Sequence, residues 1–211
     1  MIGKPTEVPV EALLFDLGGV LLRIDFGRVF ARWGREASCA PAELAARFAM
    51  DEAYAAHERG EIDFSAYCRH LRHELGIALD DAAMLEGWND IFIGPVPWID
   101  EVLAEASSRW PLYGFSNTNA VHRTTWTARF GSLLSPIREI HCSHVLGMRK
   151  PDREAYCHVA RLIGVAPSAI LFFDDSPENV AGATAAGLRA RWIDPGGDVA
   201  MQLRSALNSV A

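Results

Sequence analysis

After residue 98 the sequence alternates between short apolar runs and stretches with helical periodicity, and this alternation restricts the possible folds most strongly. The apolar runs read as strands over 111–116, 139–143, 169–173 and 188–193. Between the second and third runs, apolar residues at helical spacing predict a helix, with Pro151 in its first turn and Gly164 at its end. Strand–helix–strand alternation is typical of α/β proteins, so we predict a doubly wound parallel sheet.

An earlier apolar run, residues 12–22, contains a single carboxylate, Asp16, followed by Gly18 and Gly19. A continuous apolar run bounded by glycine predicts a buried strand, so Asp16 would stand at its carboxyl end. A buried charge there has to be paired, metal-bound or functional. The glycines allow backbone N–H groups to approach an anion beside that carboxylate. Taken alone, the segment also fits a solvated Asp in a turn.

Residues 24–97 are far more than the connection between the first two strands of the sheet requires, because a crossover between parallel strands needs only a dozen or so residues. Apolar residues at helical spacing predict helices over 64–75 and 84–92. We therefore predict a helical insertion, 24–97, between the two core segments 1–23 and 98–211. Its Arg and His residues are expected to form a solvated face. Its aromatic residues could line a pocket, but in a small helical module such residues more often form the core; they are Phe26, Trp33, Phe48, Tyr54 and Trp88.

Composition excludes several classes of protein. The net charge is −7 and the basic residues are scattered, so neither nucleic acid nor a membrane is an expected partner. The four cysteines are widely spaced, which fits neither a zinc site nor a disulfide framework. No run reaches the roughly 18 apolar residues of a membrane helix, and Asp16 interrupts the one candidate signal segment. We expect a cytoplasmic protein.

Polar groups stand where the predicted strands end or where the following helix begins. In chain order they are Asp16, Ser116, Asn117, Lys150, Asp174 and Asp175. Because the carboxyl ends of parallel strands meet at one edge of a sheet, and ligands of such sheets bind there, these groups are expected to share one site.

Two types of ligand group are present in this set. Asp174 and Asp175, set opposite Asp16, form a hard-oxygen site suited to Mg²⁺ together with a substrate phosphate. The same two acids could instead simply favour the positive end of the helix that Ser176 caps.

The other groups suit a phosphoryl group. Ser116 and Asn117 offer a hydroxyl, an amide and backbone donors, and Lys150 offers a point charge. Each is common in exposed turns by itself. Their joint position at strand ends predicts a site that handles phosphate.

Four motifs carry a family resemblance: Phe-Asp-Leu-Gly-Gly-Val, Phe-Ser-Asn-Thr, Lys-Pro-Asp and Phe-Phe-Asp-Asp-Ser. In this order, over essentially the whole chain, they resemble the haloacid dehalogenase-like hydrolase superfamily. The resemblance implies a Rossmann-like core with a helical cap inserted after the first strand. Within the superfamily, segments 116–126, 146–151 and 172–175 are most similar to bacterial α-D-glucose-1-phosphate phosphatases, which points to a sugar phosphate as substrate.

The resemblance also implies roles for individual residues. Asp16 would be the nucleophile that forms an aspartyl-phosphate. The implied Mg²⁺ ligands are the Asp16 carboxylate, the Gly18 carbonyl and Asp175, with Asp174 as a water-mediated or secondary contact. The implied phosphate-binding residues are Ser116, Asn117 and Lys150, beside the glycine backbone of Gly18 and Gly19.

Gly18 departs from the family pattern. Most phosphatases of this family carry a second Asp two residues after the nucleophile, as the general acid and base. Loss of such a group lowers the rate on the order of 10²–10⁴-fold unless another residue or the leaving group compensates. An anomeric oxygen leaves more readily than an ordinary alkoxide. Asp25, just past the first strand, and His122, after the second, are the candidate substitutes.

Three functions are consistent with these features. The leading hypothesis is a Mg²⁺-dependent phosphatase acting on a small phosphate ester, possibly a sugar phosphate such as glucose 1-phosphate. A metal-independent 2-haloacid dehalogenase would share the Asp16 nucleophile, but Asp174 and Asp175 disfavour it. A weakly active, phosphate-binding regulatory protein is supported by Gly18. The sequence predicts no oligomeric state.

Overall fold

A computed structural model describes residues 8–210, so the ends of the predicted core segments, residues 1–7 and residue 211, lie outside it. The strands are β1 (Ala12–Phe15), β2 (Leu22–Ile24), β3 (Phe92–Pro95), β4 (Leu112–Ser116), β5 (Ile137–Cys142), β6 (Ile170–Asp174) and β7 (Arg189–Trp192). The helices are α1 (Phe26–Ala37), α2 (Pro41–Arg47), α3 (Glu52–Glu58), α4 (Phe64–Leu75), α5 (Asp81–Asn89), α6 (Ile99–Ser107), α7 (Ala120–Phe130), α8 (Ser143–Leu146), α9 (Arg153–Ile163), α10 (Pro177–Ala185) and α11 (Val199–Asn208).

Five strands form the predicted parallel sheet, in the order β5–β4–β1–β6–β7. Strands β1 and β6 lie at its centre, where every residue is buried, which explains why both are continuous apolar runs. Phe15 is paired with Phe173 in the register of these strands, and their rings stack at 5.1 Å. The predicted strand positions are confirmed to within two residues at each end.

Helices cover both faces of the sheet, as a doubly wound fold requires. On one face, Leu14 and Phe172 pack with Tyr156 of α9 and with α10. On the other face, Leu13 and Phe15 belong to a larger core shared with α6 and α11. Alternate residues of β1 therefore serve the two cores, and the chain has the predicted Rossmann-like α/β fold.

Helices α1–α5, here called the helical module, lie between β2 and β3. These two strands pair antiparallel, with Leu22 opposite Pro95 and Ile24 opposite Phe92, so the chain leaves the sheet and returns to it at adjacent positions. Trp33 and Trp88 stack at 6.0 Å in the centre of the module. The expectation that the module's aromatic residues form its core is confirmed for Trp33 and Trp88, whereas Phe26, Phe48 and Tyr54 are partly buried.

Two predicted helices have different ends in the structure. The helix predicted over 84–92 ends at Asn89, and Phe92 instead begins β3, because this segment pairs with β2. The helix predicted to hold Pro151 in its first turn begins at Arg153. Residues 149–152 form a turn closed by the Asp152 N–H and the Arg149 carbonyl at 3.1 Å, which places Lys150 at the sheet.

Two further expectations concern composition. Cys39, Cys68, Cys142 and Cys157 are free thiols, in agreement with the expected absence of a disulfide framework. Over residues 8–210, none of the helices has both the length and the apolar character needed to span a bilayer.

Candidate active site

The predicted site residues meet at the carboxyl edge of the sheet. Asp16 directly follows β1, Ser116 ends β4, and Asp174 ends β6. Because β4, β1 and β6 are neighbours in the sheet, the three side chains stand side by side. Parallel strand order alone brings together residues that lie up to 158 positions apart in the sequence.

Lys150 is the centre of this group. Its side chain is 1% exposed and its Nζ donates to Asp16 Oδ1 at 2.7 Å and to Asp174 Oδ2 at 2.6 Å. The ammonium also lies 5.5 Å from the ring centroids of Phe115 and Phe172, close enough for a cation–π contribution. A buried, doubly paired lysine holds a positive charge beside the predicted nucleophile in a medium that screens it weakly.

Asn117 fixes the backbone of Lys150. Its Oδ1 accepts from the Lys150 N–H and its Nδ2 donates to the Lys150 carbonyl, both at 2.9 Å. The amide side chain, expected to bind phosphate, is thus used to position the lysine. The backbone of Asn117 is therefore the part left for a direct contact with a phosphoryl group.

Asp174 also supports Lys150. Its side chain is fully buried; Oδ1 accepts from the Ser176 N–H and from Asn179 Nδ2, both at 2.9 Å, while Oδ2 accepts from Lys150. Ser176 caps α10 as predicted. Both carboxylate oxygens of Asp174 thus have partners, which suits anchoring of the lysine better than direct coordination of an ion.

The acidic groups of Asp16, Asp174 and Asp175 have oxygens within 4.8 Å of one another. Gly19, at φ +74°, allows this approach, because a Cβ at that position would overlap the Asp175 carboxylate. Three carboxylates face one ammonium, so full ionisation would leave two negative charges uncompensated.

The pKa values reflect this excess of negative charge. Burial raises the pKa of Asp16 to about 7, with repulsion from Asp174 and Asp175 adding to the effect and Lys150 opposing it. Burial and repulsion from Asp174 likewise raise the pKa of Asp175 to about 6. A hard divalent cation between Asp16 and Asp175 would remove the repulsion, and the donor set therefore fits Mg²⁺.

A cavity of about 70 Å³ lies between this edge of the sheet and the helical module. Its polar wall includes Gly18, Glu58, Ser116, Asn117, Thr118 and His122. Ligand pockets usually measure about 300–1,000 Å³. The cavity is thus far smaller than the space that a whole metabolite occupies.

The geometry argues against both predicted substitutes for the missing acid and base. Asp25 is exposed and caps α1, with Oδ1 accepting from the Gly27 N–H at 2.7 Å. His122 Nε2 donates to the Trp88 carbonyl at 3.0 Å, and Nδ1 accepts from Asn119 at 3.2 Å. Burial lowers the pKa of His122 to about 4, so the ring is neutral and both its nitrogens are occupied.

The sequence analysis missed two residues, Glu58 and Arg149. His57 and Glu58 in the module are buried, against the expectation of a solvated face. Glu58 Oε2 accepts from Arg149 Nε at 2.9 Å and forms an ion pair with Nη2 at 2.8 Å. The available signal was Gly60, at φ +72°, where a Cβ would overlap the carbonyl of His144. A glycine required by close approach indicates that this turn packs against α8.

Comparisons with known proteins identify the family of this chain. The curated phosphatase MT3486 of Mycobacterium tuberculosis (strain CDC 1551 / Oshkosh) is 27% identical over 202 residues, covering 89% of either chain. Among solved structures, the HAD family enzyme BT-2542 of Bacteroides thetaiotaomicron, in complex with magnesium and inorganic phosphate, has a TM-score of 0.76 at 24% identity over 90% of this chain and 96% of that one.

A second similar solved structure is that of a dehalogenase. L-2-haloacid dehalogenase of Xanthobacter autotrophicus with chloropropionic acid covalently bound has a TM-score of 0.68 at 20% identity, over 96% of this chain and 84% of that one. At these identities the solved structures show a shared fold. The model of the haloacid dehalogenase-like hydrolase family matches residues 10–187, which is most of the chain, and the protein therefore belongs to the haloacid dehalogenase-like hydrolase family.

Proposed function

We propose that this hydrolase is a Mg²⁺-dependent phosphatase that acts on a small phosphorylated metabolite through an aspartyl-phosphate on Asp16. The observation that carries the proposal is the site charge: Asp16, Asp174 and Asp175 surround one ammonium, that of Lys150. A divalent cation would neutralise the remaining negative charge of the carboxylates, so that an anionic ester could bind. The named activity of the mycobacterial relative supports the same class.

Mg²⁺, held by Asp16, the Gly18 carbonyl and Asp175, would neutralise charge so that a phosphate ester can approach the carboxylate. Lys150 fixes one oxygen of Asp16 and leaves the other to attack phosphorus. The Ser116 hydroxyl, the backbone that follows it and Lys150 would stabilise charge on the transferring phosphoryl group. Asp174 and Asn117 position Lys150 for this task.

We assign residues 24–97 the role of a cap that closes over the bound ester. The small cavity supports this role, since it leaves room for a phosphoryl group but not for its leaving group while the module is docked. Closure would exclude water from the site and strengthen its electrostatic interactions.

A sugar phosphate such as glucose 1-phosphate is the substrate that we favour. Beside the catalytic groups, the module presents an aromatic wall with Phe26 and Tyr54 and a buried carboxylate, Glu58. Aromatic faces combined with a few hydrogen-bonding groups suit a hydroxylated ring. An anomeric leaving oxygen would also reduce the penalty for the missing acid at Gly18.

Two other activities remain as alternatives for the test. Dehalogenases share this fold, but a halocarboxylate needs no cation, and three carboxylates would repel it. A phosphate-binding regulatory protein would keep the site and lack efficient turnover because of Gly18.

The test is a screen of sugar phosphates and other phosphate monoesters with Mg²⁺, with Asp16→Asn as the inactive variant. Asp100→Asn, on the exposed start of α6, is the matched control. We expect turnover that EDTA and Asp16→Asn each abolish and that Asp100→Asn retains. Turnover that survives in Asp16→Asn would overturn the covalent mechanism. Dehalogenation of 2-chloropropionate in EDTA, or phosphate binding without hydrolysis of any ester, would favour the respective alternative.

A further inference from the structure

Position 18 is a glycine and supplies no proton. Gly18 has no side chain, and a Cβ added there would lie 2.9 Å from Cδ1 at the tip of the Ile24 side chain. Gly18 and Ile24 both line the cavity, so its wall is apolar at this point. A phosphatase built on this site needs a proton carrier from another part of the chain.

Glu58 is placed to fill that need. Among the described residues 8–210, it is the one carboxyl group on the cavity wall, which it shares with Gly18, Ser116 and Asn117. Its side chain is 6% exposed. Glu58 lies at the end of α3, where the turn at Gly60 packs on α8, so the same contact that docks the module brings the carboxyl to the cavity.

The hydrogen bonds of Glu58 leave part of its carboxyl group available. Arg149 Nε donates to Oε2 and its Nη2 lies 2.8 Å from the same oxygen, while the Tyr54 side chain interacts with the same carboxyl group. A carboxyl group with two oxygens accepts up to four hydrogen bonds. The side chain is therefore held in place while it retains capacity for one more partner in the cavity.

Several charged and titratable groups lie near Glu58. They are Tyr54 on its own helix, Tyr67 of α4, Arg149 and Lys150 of the loop before α9, and His122 of α7 on the same cavity wall. The two cations lower the pKa of Glu58, but burial outweighs them and the pKa stands above its usual value. A carboxyl group of this kind holds a proton nearer to neutral pH than an exposed glutamate does.

We propose that Glu58 is the general acid and base of the reaction, in place of the aspartate that the family usually carries at position 18. In the first step, an oxygen of Asp16 bonds to phosphorus, the bond from phosphorus to the leaving oxygen breaks, and the Glu58 carboxyl gives its proton to that oxygen. In the second step, water bonds to phosphorus and gives its proton to the Glu58 carboxylate, while Asp16 departs from inorganic phosphate as a carboxylate. The assignment rests on the proposed phosphatase function.

The leaving group provides the decisive test. A nitrophenolate departs without a proton, whereas an alkoxide needs one, so loss of a general acid lowers kcat/KM for an alkyl phosphate far more than for p-nitrophenyl phosphate. For Glu58→Gln we expect a fall on the order of 10²-fold or more with the alkyl ester and less than about tenfold with the nitrophenyl ester. The glutamine keeps the shape of the side chain and can still accept from Arg149.

A second readout addresses the second step. Hydrolysis of the aspartyl-phosphate needs the base, so Glu58→Gln should release one equivalent of nitrophenol per site in a rapid burst and then turn over slowly. Glu61→Gln, an exposed glutamate paired with Arg59, is the matched control and should retain wild-type rates with both esters. Thermal unfolding of both variants checks that the fold is intact.

The outcomes separate the two proposals. An equal fall in kcat/KM for both esters would show that Glu58 only docks the module through Arg149, and wild-type turnover of the alkyl ester by Glu58→Gln would remove it from catalysis. Either result overturns the role of Glu58 and leaves the phosphatase standing. A wild-type protein that hydrolyses neither ester and none of the sugar phosphates in the screen would overturn the phosphatase itself.

Discussion

Removal of the buried ammonium of Lys150 should destabilise the fold as well as inactivate the site. In Lys150→Met the apolar stem is kept, but Asp16 and Asp174 lose a partner at 2.7 and 2.6 Å. Breaking a buried pair by removing one partner costs about 3–5 kcal/mol, because the other charge stays buried and unpaired. For a chain of this size each kcal/mol lowers Tm by about 2–4 °C, so we expect a fall of roughly 6–20 °C.

The assay is urea and thermal unfolding of the metal-free protein at pH 8. Arg28→Met is the matched control, since its pair with Asp90 is partly exposed and should contribute at most about 1 kcal/mol. In an Asp174→Asn background the same loss of Lys150 should destabilise less, because one fewer carboxylate is left unpaired. The loss should also shrink at pH 5, where the remaining carboxyl groups bind protons.

The reasoning would be refuted by a loss in Lys150→Met no larger than that of the Arg28 control. That result would mean that water reaches the carboxylates in solution and replaces the ammonium. Equal losses in the wild-type and Asp174→Asn backgrounds would refute the coupling between Lys150 and Asp174 specifically.

Four further outcomes are expected. Burial holds the pKa of Asp16 at about 7 in the folded protein, against an ordinary value of 3.8, so its contribution to stability is greatest at acid pH and is lost as pH rises towards 7. Asp16→Asn should flatten this decline of the free energy of unfolding with pH, measured by urea unfolding. An unchanged decline in the variant would contradict the assignment. Mg²⁺ should raise Tm of the wild type, with reversal by EDTA, and should do so less in Asp175→Asn; equal shifts would place the ion elsewhere. His122→Gln should keep the pH–rate profile while losing about 1–3 kcal/mol of stability. A shift of either limb of the pH–rate profile would show that His122 carries a proton in the reaction. Asn117→Ala should lower kcat/KM by releasing the backbone of Lys150, which single-turnover kinetics would show; a wild-type rate would count against this positioning.

The sequence was sufficient to predict the fold because the interior strands β1 and β6 are nearly pure apolar runs. β1 and β6 lie buried on both faces, so burial leaves a continuous pattern that can be read without tertiary information. Asp16 and Asp174 stood out for the same reason, as charges at the ends of such runs. The acidic side of the site could therefore be predicted from strand ends and the parallel arrangement alone.

The remaining parts of the site depend on contacts between distant segments. Glu58 lies on a short helix among other charged residues, and only the approach of Arg149, which is 91 positions away, shows that it is buried. The link between Asn117 and Lys150 spans 33 positions and likewise has no local pattern. Phe92 fitted a helical stripe, and its place in β3 depends on its partner strand.

The antiparallel pairing of β2 with β3 has a consequence for how such a chain can diverge. Leu22 and Pro95 face each other across the two strands, so everything between them is attached to the sheet through one narrow base. Insertions or deletions inside that segment leave the order of the parallel strands untouched. The reactive groups at the sheet edge can thus be inherited unchanged while the covering helices are lengthened, shortened or replaced, and the range of accepted molecules changes with them.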